Sequence, residues 1–188
     1  MEVFLCVADY WRICPDRARL RYAFANACHA AWDRIPRVKV EVLSGKGIVF
    51  QRERRIEAER RATGEIYCVA DDDCLIHAGA AAVDEARRQA DRHPAFATLS
   101  ATPQNANIRD WTPEEYTPQS DDAVQEHFSV GGIRFMRKGA MTEWPPLTGK
   151  HYDGTQCQWL REHGWRVGYL RGVTMLHLGE GQDVTTLG

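Results

Sequence analysis

The sequence predicts a single α/β domain, with a mostly parallel central sheet and helices on both faces. Two observations carry this. Short apolar, strand-like runs recur at 3–8, 38–43, 66–70 and 95–100, and segments of helical composition separate them. The chain of 188 residues also suits one domain with its own core and no disulfide staples.

Each element has a local reason. Val3 to Ala8 is a short apolar strand, and Asp9-Tyr10-Trp11-Arg12 is a polar and aromatic turn. Pro15-Asp16 opens a helix to about Trp32, rich in Ala, Leu and Arg. Val38 to Leu43 alternates Val with charge, as a half-buried strand does, and Ser44-Gly45-Lys46-Gly47 breaks it. Residues 52–63 place Arg and Glu at helical spacing. Ile66 to Ala70 is a strand, Ala78 to Asp91 an Ala-rich helix and Ala95 to Ser100 a strand. Residues 101–127 carry prolines and polar residues without periodicity, a composition of functional loops. Phe128 to Met136 is apolar, interrupted by Gly131-Gly132. A helix over Thr155 to His163 stops at Gly164, and Trp165 to Leu170 and Thr174 to Leu178 read as two late strands.

Composition excludes some classes. A hydrophobic fraction of 44% and a charged fraction of 27% are those of a globular protein in water. The net charge of −2 excludes binding of polyanions by bulk charge. Lysine occurs only at 39, 46, 138 and 150, so the basic side is nearly all arginine. Arginine suits bidentate phosphate contacts, although high-GC codon usage gives the same bias. No apolar stretch approaches the ~20 residues of a membrane span. Met1-Glu2 runs straight into a strand, which is unlike a secretory leader. The six cysteines, at 6, 14, 28, 68, 74 and 157, sit among apolar neighbours. They are expected to be reduced and mostly buried in a cytoplasmic protein. Cys68, Cys74 and His77 match no zinc spacing.

Asp71-Asp72-Asp73 falls at the carboxyl end of a strand, where ligands sit in open α/β sheets. Adjacent carboxylates repel, and a hard divalent cation, Mg²⁺ or Mn²⁺, removes that cost. A helix cap at Asp73 is the competing account, and it explains one aspartate of the three.

Around this run, "ATGEIYCVADDDCLI" (62–76) resembles the Asp-x-Asp segment of GT-A-fold glycosyltransferases, especially those similar to family 2. "VGGIRFMRKGAM" (130–141) is similar to the glycine-then-Phe-x-Arg segment beside the acceptor in that family. "YDGTQCQWLREHGWRVGYL" (152–170) resembles its Glu-Asp helix, and "VTMLHLG" (173–179) its terminal strand. The match spans roughly residues 1–180. Two positions depart from the pattern: Tyr152 stands where an acidic residue is usual, and Ser44 where an aspartate reads the donor base.

The resemblance implies one GT-A-like, Rossmann-like domain. Residues 1–100 would form its nucleotide-sugar half and 101–180 its acceptor half. It implies a metal-dependent, inverting transferase using Mn²⁺ or Mg²⁺ and a nucleotide-sugar donor. Asp71, Asp73 and His177 would hold the metal, Asp73 most directly. Asp72 would turn toward the donor ribose. Tyr10 and Arg12 would meet the nucleotide, Ser44 the base site and Arg55 the phosphates, with Lys46 a weaker donor contact. Asp153 would be the general base, while Asp153 with Gln156 also fits a capping box. Trp111, Tyr116, Phe128 and Trp144 are candidate acceptor surfaces. Arg134 and Arg137 are candidate contacts for an anionic acceptor, and Gly179-Glu180-Gly181 for a tail over the donor. The acceptor stays open: a saccharide, a lipid-linked sugar, a protein, a small metabolite or a modified DNA base. A nucleotidyltransferase of similar fold, or a non-catalytic nucleotide- or sugar-binding module, are the alternatives.

Overall fold

A computed structural model describes residues 1–45, 49–104, 121–146 and 152–178. In chain order the elements begin with strand β1 (Glu2–Ala8), helix α1 (Tyr10–Ile13), a 3₁₀ turn (Pro15–Arg17) and α2 (Ala18–Asp33). Then come β2 (Lys39–Gly45), α3 (Val49–Arg61), β3 (Ile66–Asp71), β4 (Cys74–Ile76) and α4 (Gly79–Arg92). The chain continues with β5 (Phe96–Pro103), β6 (Val124–Glu126), β7 (Ile133–Arg137), α5 (Tyr152–Glu162) and β8 (Arg166–His177).

The strands form one 8-stranded sheet in the order β2-β1-β3-β7-β5-β8-β4, with β6 paired to β8. Strands β1, β2, β3, β5 and β8 run one way and β4, β6 and β7 run against them. This is the mostly parallel sheet that the alternation of elements predicts.

Alternation along the strands divides the core between two faces. On β1, Val3, Leu5 and Val7 pack with Ala25, Cys28 and Trp32 of α2 and Ala82 and Ala86 of α4. Phe4 faces the other way, with Ala58 of α3, Tyr67, Val69 and Met136. Under α5, Cys157, Trp159 and Leu160 pack with Ala97 and Val167. So α2 and α4 cover one face, α3 and α5 the other. Opposite charges on α3 pair as their spacing predicts: Glu57 binds Arg60 at 2.7 Å and Arg61 at 2.5 Å.

Three local expectations change. The residues expected as two late strands form one, β8, which continues through the exposed Arg171 and Gly172. Its pairing with β5 shifts register between Ala101 and Thr102, so a bulge absorbs what reads as a break. Strands β4 and β6, three residues each, are too short for periodicity to reveal. Asp9 to Arg12 is not only a turn: Tyr10 opens a single helical turn, α1.

Candidate functional site

The carboxyl ends of β1, β2, β3, β5 and β8 and the starts of β4 and β7 share one end of the sheet. This edge brings together Ala8, Ser44, Asp71, Cys74, Gly132 and His177. The aspartate run divides here between the two faces.

Asp71 lies on the α3/α5 face, in phase with Tyr67 and Val69. Its N–H donates to the Gly132 carbonyl at 3.2 Å. Its half-buried carboxylate takes no hydrogen bond among the described residues. Burial and the nearby Asp153 charge push it up to about 7, while Arg55 and Arg134 pull the other way.

Between α3, α5 and β7 lies an ionic cluster. Arg55 of α3 is 1% exposed and Arg134 of β7 is 0% exposed. The Asp153 Oδ1 atom accepts from Arg55 Nη2, and Arg134 Nη1 lies 3.1 Å from it. Gln156 Oε1, one turn along α5, accepts from Arg55 at 3.0 Å and from Arg134 at 2.6 Å. Burying two guanidiniums is costly unless they are paired, and Asp153 with Gln156 supplies the pairing. Arg134 belongs to this face because β7 alternates: Ile133 and Phe135 enter the α2/α4 core, and Arg134 points the other way.

This geometry changes two readings. Asp153 lies inside α5, after Tyr152, and Gln156 is taken up by the arginines, so the pair forms no capping box. Arg134 faces Asp153 rather than an open acceptor site. Arg137 instead donates to the carbonyls of Ala90 at 2.7 Å and Phe96 at 3.4 Å, tying β7 to the end of α4.

Two adjacent glycines, Gly131 and Gly132, lie next to this cluster. A Cβ at Gly131 would stand 2.8 Å from Asp153 Oδ2. Gly132 has φ +74°, and a Cβ there would meet Met175 Sδ at 2.7 Å. The Gly131-Gly132 pair thus lets α5, β7 and β8 approach.

Asp72 and Asp73 turn toward α1 and α2. Asp72 is 4% exposed. Its Oδ1 accepts the Tyr10 hydroxyl at 2.5 Å and its Oδ2 the Ala8 N–H at 3.2 Å. Asp72, expected at a donor ribose, staples the end of β1 to the end of β3. Burial raises it to about 6, against the Tyr10 hydrogen bond. Asp73 Oδ2 pairs with Arg21 of α2 at 3.1 Å, and Asp73 Oδ1 lies 3.8 Å from His177 Nε2. Asp73 caps no helix: β4 follows it, and Ala78, with φ 64°, precedes α4.

Donor atoms of Asp73, Cys74 and His177 all lie within 4.8 Å of one another. Cys74 and His177 face each other across the β4–β8 ladder, a pairing no linear spacing reveals. Burial holds the Cys74 thiol well above its usual range, and it donates to Asp73 Oδ1 at 3.5 Å. Asp73 and His177, with the unbonded Asp71 carboxylate on the same edge, are oxygen and nitrogen donors that fit a hard divalent cation. Asp71 itself stands outside the tight group. Cys68 is core and His77 is exposed, so neither joins a site.

The remaining expected contacts scatter. Tyr10 is buried, with Arg21 stacked 4.7 Å over its ring and Tyr22 edge-on at 5.5 Å. Arg12 and Ser44 are exposed near the strand ends. Phe128 and Trp144 are half-buried, and Arg52 holds the Trp144 carbonyl at 2.6 Å. Lys46, Trp111, Tyr116, Gly179, Glu180 and Gly181 lie outside the described residues. Arg21 is the site residue that the sequence reading misses. It sits in a stretch where arginine recurs at 17, 19 and 21 with nothing to mark one of them as inward.

No family model matches the sequence, and no curated protein matches it. Solved structures do. A197 from STIV aligns over 96% of this chain and 87% of its own, at 13% identity and a TM-score of 0.54. S. aureus TarS 1–349 aligns over 93% of this chain at 12% identity and a TM-score of 0.60. The same fragment in complex with UDP-GlcNAc aligns over 99% at 15% identity and a TM-score of 0.51. This chain spans 59% of TarS 1–349. At such identities the likeness establishes the fold, a GT-A-like one. Among the described residues no helix is long and apolar enough to cross a membrane.

Proposed function

We propose that this chain is a metal-dependent, inverting glycosyltransferase that moves a sugar from a nucleotide-sugar donor to a hydroxyl. One observation carries the reading: Asp153, far from Asp71 in sequence, is paired with two buried arginines on the face of the sheet where Asp71 ends its strand. That UDP and UDP-GlcNAc occupy TarS, a structural neighbour, supports a nucleotide-sugar donor.

Asp73, His177 and Asp71 would hold Mn²⁺ or Mg²⁺, which when bound offsets the charge growing on a departing diphosphate. Asp153 takes the proton of the acceptor hydroxyl as its oxygen attacks the anomeric carbon. One base opposite the leaving group gives inversion. Arg55 and Arg134 hold the Asp153 carboxylate in place for that attack. The acceptor belongs to the hydroxyl class, whether on a saccharide, a lipid-linked sugar, a protein or a modified DNA base.

A thermal-shift panel of nucleotide sugars, with and without Mn²⁺, tests the class. One donor should stabilise the protein only when Mn²⁺ is present, and Asp73→Ala should abolish that stabilisation and the hydrolysis of the donor. Full activity in EDTA overturns the metal-dependent reading.

A further inference from the structure

Arg21 is a positive charge built into the candidate cation site. It lies on α2, with its side chain 16% exposed. Its Nη2 donates to the Tyr10 hydroxyl at 2.9 Å, reaches Asp73 Oδ2 at 3.1 Å and stands 4.0 Å from Asp72 Oδ1. Arg21 therefore neutralises part of the charge on the aspartate run from one side, while Asp73 Oδ1 faces His177 on the other.

We infer that Arg21 is a charge-balancing residue that keeps divalent-cation affinity low in the free protein, so that firm cation binding requires the anionic donor as well. This rests on the metal-dependent reading above. A divalent cation at Asp73 Oδ1 would lie a few ångströms from the guanidinium on Oδ2 of the same carboxylate. A single and a double positive charge sharing one carboxylate repel, and the inference holds that this repulsion exceeds the roughly 10–100-fold loss that removal of an orienting partner brings. Asp72 keeps its own anchors, Tyr10 and the Ala8 N–H, without Arg21. A diphosphate supplies the negative charge that lets Arg21 and the cation coexist. The coupling is reciprocal: each ligand strengthens the other.

The test is Mn²⁺ binding read by electron paramagnetic resonance, with and without UDP as the diphosphate probe, on wild type, Arg21→Met, Arg21→Lys and Asp73→Asn. Wild type should bind Mn²⁺ weakly alone and at least about tenfold more tightly with UDP. Arg21→Met should bind Mn²⁺ alone at least about tenfold more tightly than wild type and gain less from UDP. Arg21→Lys, which keeps the charge, should behave as wild type. Arg21→Gln replaces the Met variant if circular dichroism shows the latter unfolded. Mn²⁺ affinity in Arg21→Met equal to or below that of wild type overturns the inference but leaves the metal-dependent reading standing, as does equal tightening in the Lys variant. If wild type shows no Mn²⁺ binding even with UDP, and matches Asp73→Asn, the metal-dependent reading falls and the inference with it.

Discussion

Nη1 of Arg134 lies 3.1 Å from Oδ1 of Asp153, and the arginine is completely buried within β7. The contact joins the sheet to α5, and the Arg55 bond to the same oxygen joins α5 to α3. Nε and Nη2 of Arg134 have no hydrogen-bond partner among the described residues. An arginine buried with two unpartnered nitrogens carries a desolvation cost that apolar groups of its volume would not.

Replacing it therefore separates stability from function. Arg134→Met should leave the fold intact, with donor affinity nearly unchanged, while kcat falls about tenfold or more as Asp153 loses one of its two positioning partners. Isothermal titration with donor, beside steady-state kinetics, reads both. An unchanged kcat would mean that Arg55 alone fixes the carboxylate.

Two neighbouring glycines should respond in opposite ways. Gly131→Ala places a Cβ 2.8 Å from Asp153 Oδ2, so the carboxylate must shift and turnover should drop about tenfold or more. Gly154 lies in α5 with nothing within 4 Å of its added Cβ. Gly154→Ala should raise stability by about 0.5–1 kcal/mol by restricting the unfolded chain. Steady-state kinetics of Gly131→Ala and urea denaturation of Gly154→Ala check the contrast.

The base assignment has its own measurement. Asp153→Asn keeps the shape and removes the proton acceptor, so donor binding should persist while transfer falls by roughly 10²–10⁴-fold. Turnover like that of wild type would assign the proton to another group.

The raised aspartates set a pH dependence in the metal-free protein. Burial pushes Asp71 up to about 7 and Asp72 up to about 6 in the folded chain, from the ordinary value of 3.8. The native state then holds protons that the unfolded chain has already released. Stability from these groups is thus fully present below the unfolded value and is lost as pH rises toward their folded values. With EDTA present, the urea midpoint should be lower at about pH 8 than at about pH 5, and Asp71→Asn should flatten the difference. A pH difference that Asp71→Asn leaves unchanged would mean that Asp71 does not hold its proton to neutral pH in the folded chain.

Much of the fold and part of the site were legible in the sequence. The strand at 66–71 and the aspartates at its end stand out, because an apolar run that stops at three like charges marks the point where a strand leaves the core. Strand β4 and the unbroken β8 did not, because three residues are too few for a period and Arg171-Gly172 reads as a break. The distinct tasks of Asp71, Asp72 and Asp73 were not legible either. Neighbours in a chain leaving a strand point to different sides, and what each meets depends on which helix covers that side.

The sequence by itself determined the α/β alternation and the carboxylates gathered at a strand end, since hydrophobic periodicity and local turn chemistry act over short stretches of chain. Only the tertiary structure decided the arginines. Arg21 looks in sequence like the many solvated ones, and Arg55 and Arg134, expected at phosphates and an anionic acceptor, give no sign there of the carboxylate they meet, because a guanidinium carries no local mark of being buried. Their roles come from partners supplied across the fold: Asp73 for Arg21, Asp153 and Gln156 for Arg55 and Arg134. Burying a charge is favourable only where such a partner waits, and that place exists only once the sheet has brought β3, β7 and α5 together.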